Sequence, residues 1–160
     1  MALLDKIREA LEPLGAKVEE VRPGYIAVSV DAGSMKKAAQ LLYSLGFDHV
    51  VSVEGVDWIK DKEIEVAYHA ASYEPELHGV VVKLSTRVPR DRPELDTLID
   101  VWPSALYPER ETWEMLGVVF RGHPELRRLL LPPDYQGPPP LRKDYRVVEE
   151  GFIVDLTRKQ

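Results

Sequence analysis

Glu109, Arg110, Glu111 and Glu114 crowd into the run Pro108-Glu-Arg-Glu-Thr-Trp-Glu-Met-Leu-Gly117, and His123 follows it. Carboxylates grouped with a histidine are the ordinary materials of general acid–base catalysis, one group taking a proton while another gives one. One reading is therefore a small stand-alone enzyme using Glu109, Glu111 or His123. A plainer reading accounts for every charge in the run. Pro108 suits the first position of a helix, Glu109 and Glu111 sit on its positive end, and Gly117 stops it. Arg110 and Glu114, four apart, pair along the surface, and Trp113 and Leu116 share a face. Nothing beside the run marks a sugar or carbonyl site, so the spacing predicts a charged surface helix over residues 108–116.

Other chemical signatures are weaker. Ser34-Met-Lys-Lys37 has the spacing of some acylating serine enzymes, but no S-D-N or K-T-G partner follows it, and Ser34 reads as a helix cap. His49, His69, His78 and His123 lack the HExxH or paired-histidine spacing of a metal site, which points to structural roles. No glycine-rich nucleotide loop and no G-x-S-x-G elbow is present.

The elements that must position these residues follow from periodicity. Leu3, Leu4, Ile7, Leu11 and Leu14 form one stripe, an amphipathic helix over residues 2–14 ended by Gly15. Lys17–Arg22 and Tyr25–Asp31 read as strands joined at Pro23-Gly24, and Ser34–Leu45 as a second helix. Strand-like runs follow at His49–Trp58, Glu63–Ser72 and Gly79–Val88, the first two forming an antiparallel hairpin. A helix from Pro93 through Asp100 is expected next, before the charged helix. The expected fold is α+β: a mixed, largely antiparallel sheet packed with helices over residues 1–120, followed by an extended proline-rich tail over 121–160.

That tail differs in composition from what precedes it. Six of the 13 prolines lie between Pro124 and Pro140, which excludes helix and central strand there. Leu126, Leu129, Leu130, Leu131, Tyr135, Leu141 and Tyr145 supply large apolar groups that call for burial. Residues 1–120 hold 13 basic and 21 acidic side chains, whereas 121–146 hold six basic and three acidic. A stiffened basic segment of this kind suits lying along a surface. Whether the surface is its own domain or a neighbour is left open by the residues.

Bulk properties set limits. The net charge of −6 argues against nucleic-acid binding, which needs a basic face. With no cysteine, disulfides, thiolate nucleophiles and cysteine-held zinc or iron–sulfur centres have no ligands here. The absence of asparagine and cysteine, with 30% charged residues, leans towards a thermophilic composition. No apolar run approaches the ~18 residues that span a bilayer, and no signal-peptide pattern opens the chain. Any contact with a membrane is then expected to come through a partner, from the cytoplasmic side.

The charged helix continues as Gly117-Val-Val-Phe-Arg-Gly-His123-Pro-Glu-Leu-Arg-Arg-Leu-Leu, and the tail closes with Leu141-Arg-Lys-Asp-Tyr145. This series resembles the signature of the 30 kDa subunit of respiratory complex I, the C subunit of bacterial NADH:quinone oxidoreductase. Residues 95–146 bear the resemblance; Asp100-Val-Trp-Pro-Ser-Ala105 also fits it. Gly137-Pro-Pro-Pro-Leu141 departs from it, lacking a histidine usual before Arg-Lys-Asp and running one residue longer, and Arg146 replaces a common proline. The shortness of the chain is similar to subunits of archaeal membrane-bound, energy-converting nickel–iron hydrogenases and related ferredoxin-linked complexes.

The resemblance implies a cofactor-free docking subunit in the peripheral arm of a membrane-associated oxidoreductase. Its partners would be a large subunit holding a quinone or nickel–iron site and a small iron–sulfur subunit. The motif residues expected to form or support the docking surface are Glu109, Arg110, Glu111, Trp113, Glu114, His123, Arg127, Arg128, Arg142, Lys143, Asp144 and Tyr145. An adaptor in an unrelated assembly is the other alternative to an enzyme.

Overall fold

The computed structural model describes residues 2–147. Helix α1 (Leu3–Leu11) turns its Ile7 and Leu11 into the core, and a short 3-10 turn then brings the chain to Gly15. Strands β1 (Lys17–Arg22) and β2 (Tyr25–Ser29) form an antiparallel hairpin. Helix α2 (Met35–Ser44) buries Met35, Ala38, Ala39 and Leu42, the spacing of one helical face. Ser34 stands at its cap position but makes no side-chain capping bond, so the capping role expected for it is not observed.

Strands β3 (His49–Trp58), β4 (Glu63–Ala71) and β5 (Val81–Pro89) complete a five-stranded sheet in the order β1-β2-β5-β4-β3. Only the β2–β5 pairing is parallel. In β4, Ile64, Val66, Tyr68 and Ala70 are buried with the helices, while Glu63, Glu65 and His69 point to the opposite face. On that opposite face Glu65 and His69 lie beside Lys83 and Arg87 of β5.

Residues 93–100 do not form the expected helix. Glu94–Asp96 is a short strand, β6, paired in parallel with β7 (Val119–Arg121). Leu95 and Leu98 are buried and lie three apart, which imitates a helical stripe. The backbone of Leu98, however, gives its N–H to the Glu109 carboxylate at 2.9 Å instead of to a helical carbonyl. Pro93 accepts from the N–H of Val119 at 2.8 Å, fixing the strand pairing.

Helix α3 (Leu106–Leu116) begins two residues before Pro108, which therefore sits inside its first turn, where no intrahelical N–H bond is lost. It packs against β3 at Gly55. A Cβ there would collide with Cδ1 of Leu116, so any larger residue would force that side chain to shift. Beyond β7 the described tail contains neither helix nor strand and runs back across α3.

Replacing Gly55 with valine should lower the unfolding free energy by about 1–3 kcal/mol, since the added carbons meet Leu116 Cδ1 and Thr112 Cγ2 in the contact between β3 and α3. Urea denaturation of the purified chain measures this, and unchanged stability would refute the close packing.

Candidate functional site

The charges of α3 are not on the surface. Glu109, Arg110 and Glu114 are 0%, 4% and 1% exposed, in a helix expected to display them to solvent. The expected Arg110–Glu114 surface pair is not formed; both side chains reach backbone groups of the tail instead. Of the four charged residues, Glu111 alone faces solvent.

Glu109 points into the domain. Its carboxylate accepts from the Tyr68 hydroxyl at 2.8 Å, the Thr97 hydroxyl and the Leu98 N–H. These bonds tie α3 to β4 and to the segment after β6. Burial raises the Glu109 pKa above the ordinary glutamate value, and the three donors only partly offset that effect. The same burial pushes the Tyr68 phenol up, with the Glu109 charge adding to it.

Glu114 points towards the tail. Its two oxygens accept the consecutive backbone N–H groups of Leu129, Leu130 and Leu131 at 3.1, 2.8 and 2.9 Å. Burial pushes this carboxyl up, but the three N–H donors and the Arg128 charge outweigh it, and the Glu114 pKa falls below its ordinary value. Arg110 works beside it, donating to the carbonyls of Arg127 at 3.2 Å and Arg128 at 3.0 Å. One helix thus supplies an acceptor for the amides of one tail segment and a donor for the carbonyls just before it. The planar guanidinium suits the second task.

Further contacts fasten the rest of the tail. The Arg128 guanidinium lies over the rings of Trp113 (5.0 Å) and Tyr135 (5.4 Å). The N–H of Leu141 bonds to Met115 O at 2.9 Å, and Nε of Arg142 bonds to Leu116 O at 2.8 Å. Both satisfy carbonyls at the negative end of α3. Gly117, with φ +80°, turns the chain away from the helix and leaves room for Arg142 and Pro139 beside it.

A clasp not anticipated from the sequence closes the arrangement. Asp57 on β3 receives two bonds from Arg90, at 2.7 and 2.9 Å, and the Lys143 N–H at 2.9 Å. Arg90 also bonds to Asp144 at 2.7 Å. The Arg90 guanidinium beside it holds the Asp57 carboxyl below the usual range, against the opposing effect of burial. The available signal was Asp57 itself, an acid in register with the inward-facing Val53 and Gly55.

His123 is held by backbone on both sides. Nδ1 accepts the Glu125 N–H at 3.0 Å, which leaves Nε2 to donate to Leu106 O at 2.9 Å. Among the described residues no hydrogen bond joins Glu109, Glu111 and His123 to one another: Glu109 is bonded within the core, Glu111 faces solvent, and His123 is occupied by main chain. Arg127 and Lys143 have exposed side chains, and Tyr145 is half-buried with its N–H on Arg142 O. The tail leucines are not all buried as expected. Leu130 and Leu141 are 61% and 64% exposed, because the tail is fastened by backbone and charge.

Residues 28–151 match the model of the family described as respiratory-chain NADH dehydrogenase, 30 Kd subunit. The chain belongs to this family. It is 43% identical to the C subunit of F(420)H(2) dehydrogenase from Methanosarcina mazei, over 94% of this chain and 89% of that protein. It is 41% identical to the C subunit of NADH-quinone oxidoreductase from Moorella thermoacetica, over 66% of this chain and 69% of the relative. Among solved structures, a trypsin-resistant fragment of Nqo5 superposes with TM-score 0.67 at 26% identity, covering 77% of this chain and 98% of the fragment. A chain of the archaeal membrane-bound sulfane sulfur reductase shares the fold with TM-score 0.79 at 24% identity, over 96% and 90% of the two chains.

The two buried glutamates should respond oppositely to pH. Glu109 has a raised folded pKa, so its contribution is complete below the unfolded value of about 4.3 and is lost as pH rises through the folded value. Glu109→Gln should then gain stability relative to the parent as pH rises. Glu114 has a lowered folded pKa, so its contribution is present above about 4.3 and is lost as pH falls through the folded value. Glu114→Gln, which sets an NH2 group against a backbone N–H, should cost about 2–3 kcal/mol at neutral pH and less in acid. Denaturant titrations between about pH 3 and pH 8 compare the slopes; parallel slopes for both variants would contradict these roles.

Proposed function

We propose that this chain is a cofactor-free docking subunit in the peripheral arm of a complex I-like membrane oxidoreductase. Its neighbours there are a large subunit with the quinone or nickel–iron site and a small iron–sulfur subunit. The family supports membership of such an assembly: matching relatives are named as subunits of NADH-quinone oxidoreductase and F(420)H(2) dehydrogenase. The observation that speaks for docking over catalysis is the use made of the charged helix. Its buried ionic groups fasten the tail and the domain interior, while Leu130 and Leu141 remain exposed.

Redox centres in this reading reside on the partners, since the sequence offers no cysteine to ligate a cluster. Among the described residues no helix is long and apolar enough to cross a membrane, which is compatible with membrane association through those partners. Against the stand-alone acid–base reading stands the absence, among the described residues, of any hydrogen bond linking Glu109, Glu111 and His123 to one another.

A tagged copy expressed with its neighbouring subunits should retain a large subunit and an iron–sulfur subunit, while the isolated chain should be colourless and without turnover. Turnover by the isolated chain that is lost in Glu111→Gln would overturn the proposal.

A further inference from the structure

The loop after β4 returns past the start of β3 and carries Tyr73, which is 81% exposed and nevertheless held in place. Its ring stacks on that of His49, with 4.0 Å between centroids and 15° between planes. His49 is in turn held by Asp48 Oδ1 at 2.6 Å, and the Tyr73 N–H reaches Asp48 Oδ2 at 3.4 Å. A 3-10 turn over Pro75–Leu77 then sets Leu77 against the core, close to Gly46. An aromatic ring with one face stacked and the other open has already lost the freedom that binding would otherwise remove. Tyrosine placed this way is typical of contact hot spots. β3 adds a second outward group. Its pairing with β4 skips Val51, between Val50 opposite Ala70 and Ser52 opposite His69, and this bulge leaves Val51 59% exposed.

The charge around Tyr73 is of one sign. Glu74 and Glu76 are exposed on the same loop, and Asp48 adjoins the Tyr73 amide. The chain has no lysine or arginine from residue 38 to 59 or from 63 to 82, the stretches that build this corner. Among the described residues, the one basic side chain within 4 Å of any of these three carboxylates is His49. We infer that this corner is an interaction surface for a neighbouring subunit, which lays an arginine or lysine over the open face of Tyr73. The π electrons of the ring attract the cation, a planar guanidinium most strongly, and the glutamates of the loop compensate its charge. Val51 offers an apolar contact two residues along from His49. A second copy of this chain, with net charge −6, is a poorer complement than a basic segment. The inference rests on the docking role proposed above and adds the chemistry of one contact.

The absence of native cysteine permits a direct test. Single-cysteine variants Val51→Cys and, on the opposite edge strand, Val21→Cys are treated with a maleimide in the isolated chain and in the assembled complex. Labelling at position 51 should slow about tenfold or more on assembly, with little change at position 21. A benzophenone maleimide at position 51 should cross-link to a partner peptide that contains an arginine or lysine. Tyr73→Ala should weaken retention of that partner about tenfold, whereas Tyr73→Phe, which keeps the π face, should retain it as the parent does. Both variants should keep the parent's far-ultraviolet circular dichroism.

Equal labelling at 51 in an intact complex, or full retention by Tyr73→Ala, would overturn the inference and leave the docking role standing. Failure of the parent chain to enter any complex would instead remove the docking role. A cross-link to a second copy of this chain contradicts a neighbouring subunit, and a partner peptide without arginine or lysine contradicts the predicted chemistry.

Discussion

A buried carboxylate usually requires a cation; Glu114 is held instead by three consecutive backbone amides of the tail. Each amide would otherwise need water, and the carboxylate would otherwise bear the full cost of leaving it, so each partner removes the other's penalty. The pairing fixes backbone without fixing side chains, and this sets the character of the described tail after residue 128. The tail lies on its own domain largely through polar bonds while Leu130 and Leu141 remain available. A tail fastened by leucine burial would be equally ordered but would have no apolar surface left to offer a partner.

The remaining charges extend the same logic. Arg110 holds the carbonyls just before the Glu114-bound amides, Arg142 takes a carbonyl at the end of α3, and Asp57 joins Arg90 to the Lys143 amide. Glu109 performs the corresponding task inward, joining α3 to β4 through Tyr68. The helix works as a two-sided bracket between the sheet and the tail. Gly55 makes this possible by letting α3 approach β3 closely.

Much of the scaffold was legible because its signal is local. The apolar stripe of α1, the alternation in β4 and the turn residues between β1 and β2 each specify one element within a few residues. Residues 94–98 misled because Leu95 and Leu98 have helical spacing, while the fate of the Leu98 amide is decided by Glu109, eleven positions away. The charged helix misled for a related reason. Its i,i+4 charges satisfy a local rule, and their burial depends on tail backbone up to 18 positions distant. Backbone amides have no side-chain identity, so a partner made of them leaves almost no mark in a sequence. The family resemblance located the right segment, but not the manner in which its charges are used.

The docking role depends most on the tail being fastened to the isolated chain before any partner arrives. Amide hydrogen exchange at Leu129, Leu130 and Leu131 measures that directly. The prediction is clear protection of all three in the isolated parent chain and its loss in Glu114→Gln, with the β4 amides still protected in both. Exchange of these three amides at unfolded-chain rates in the parent would contradict it.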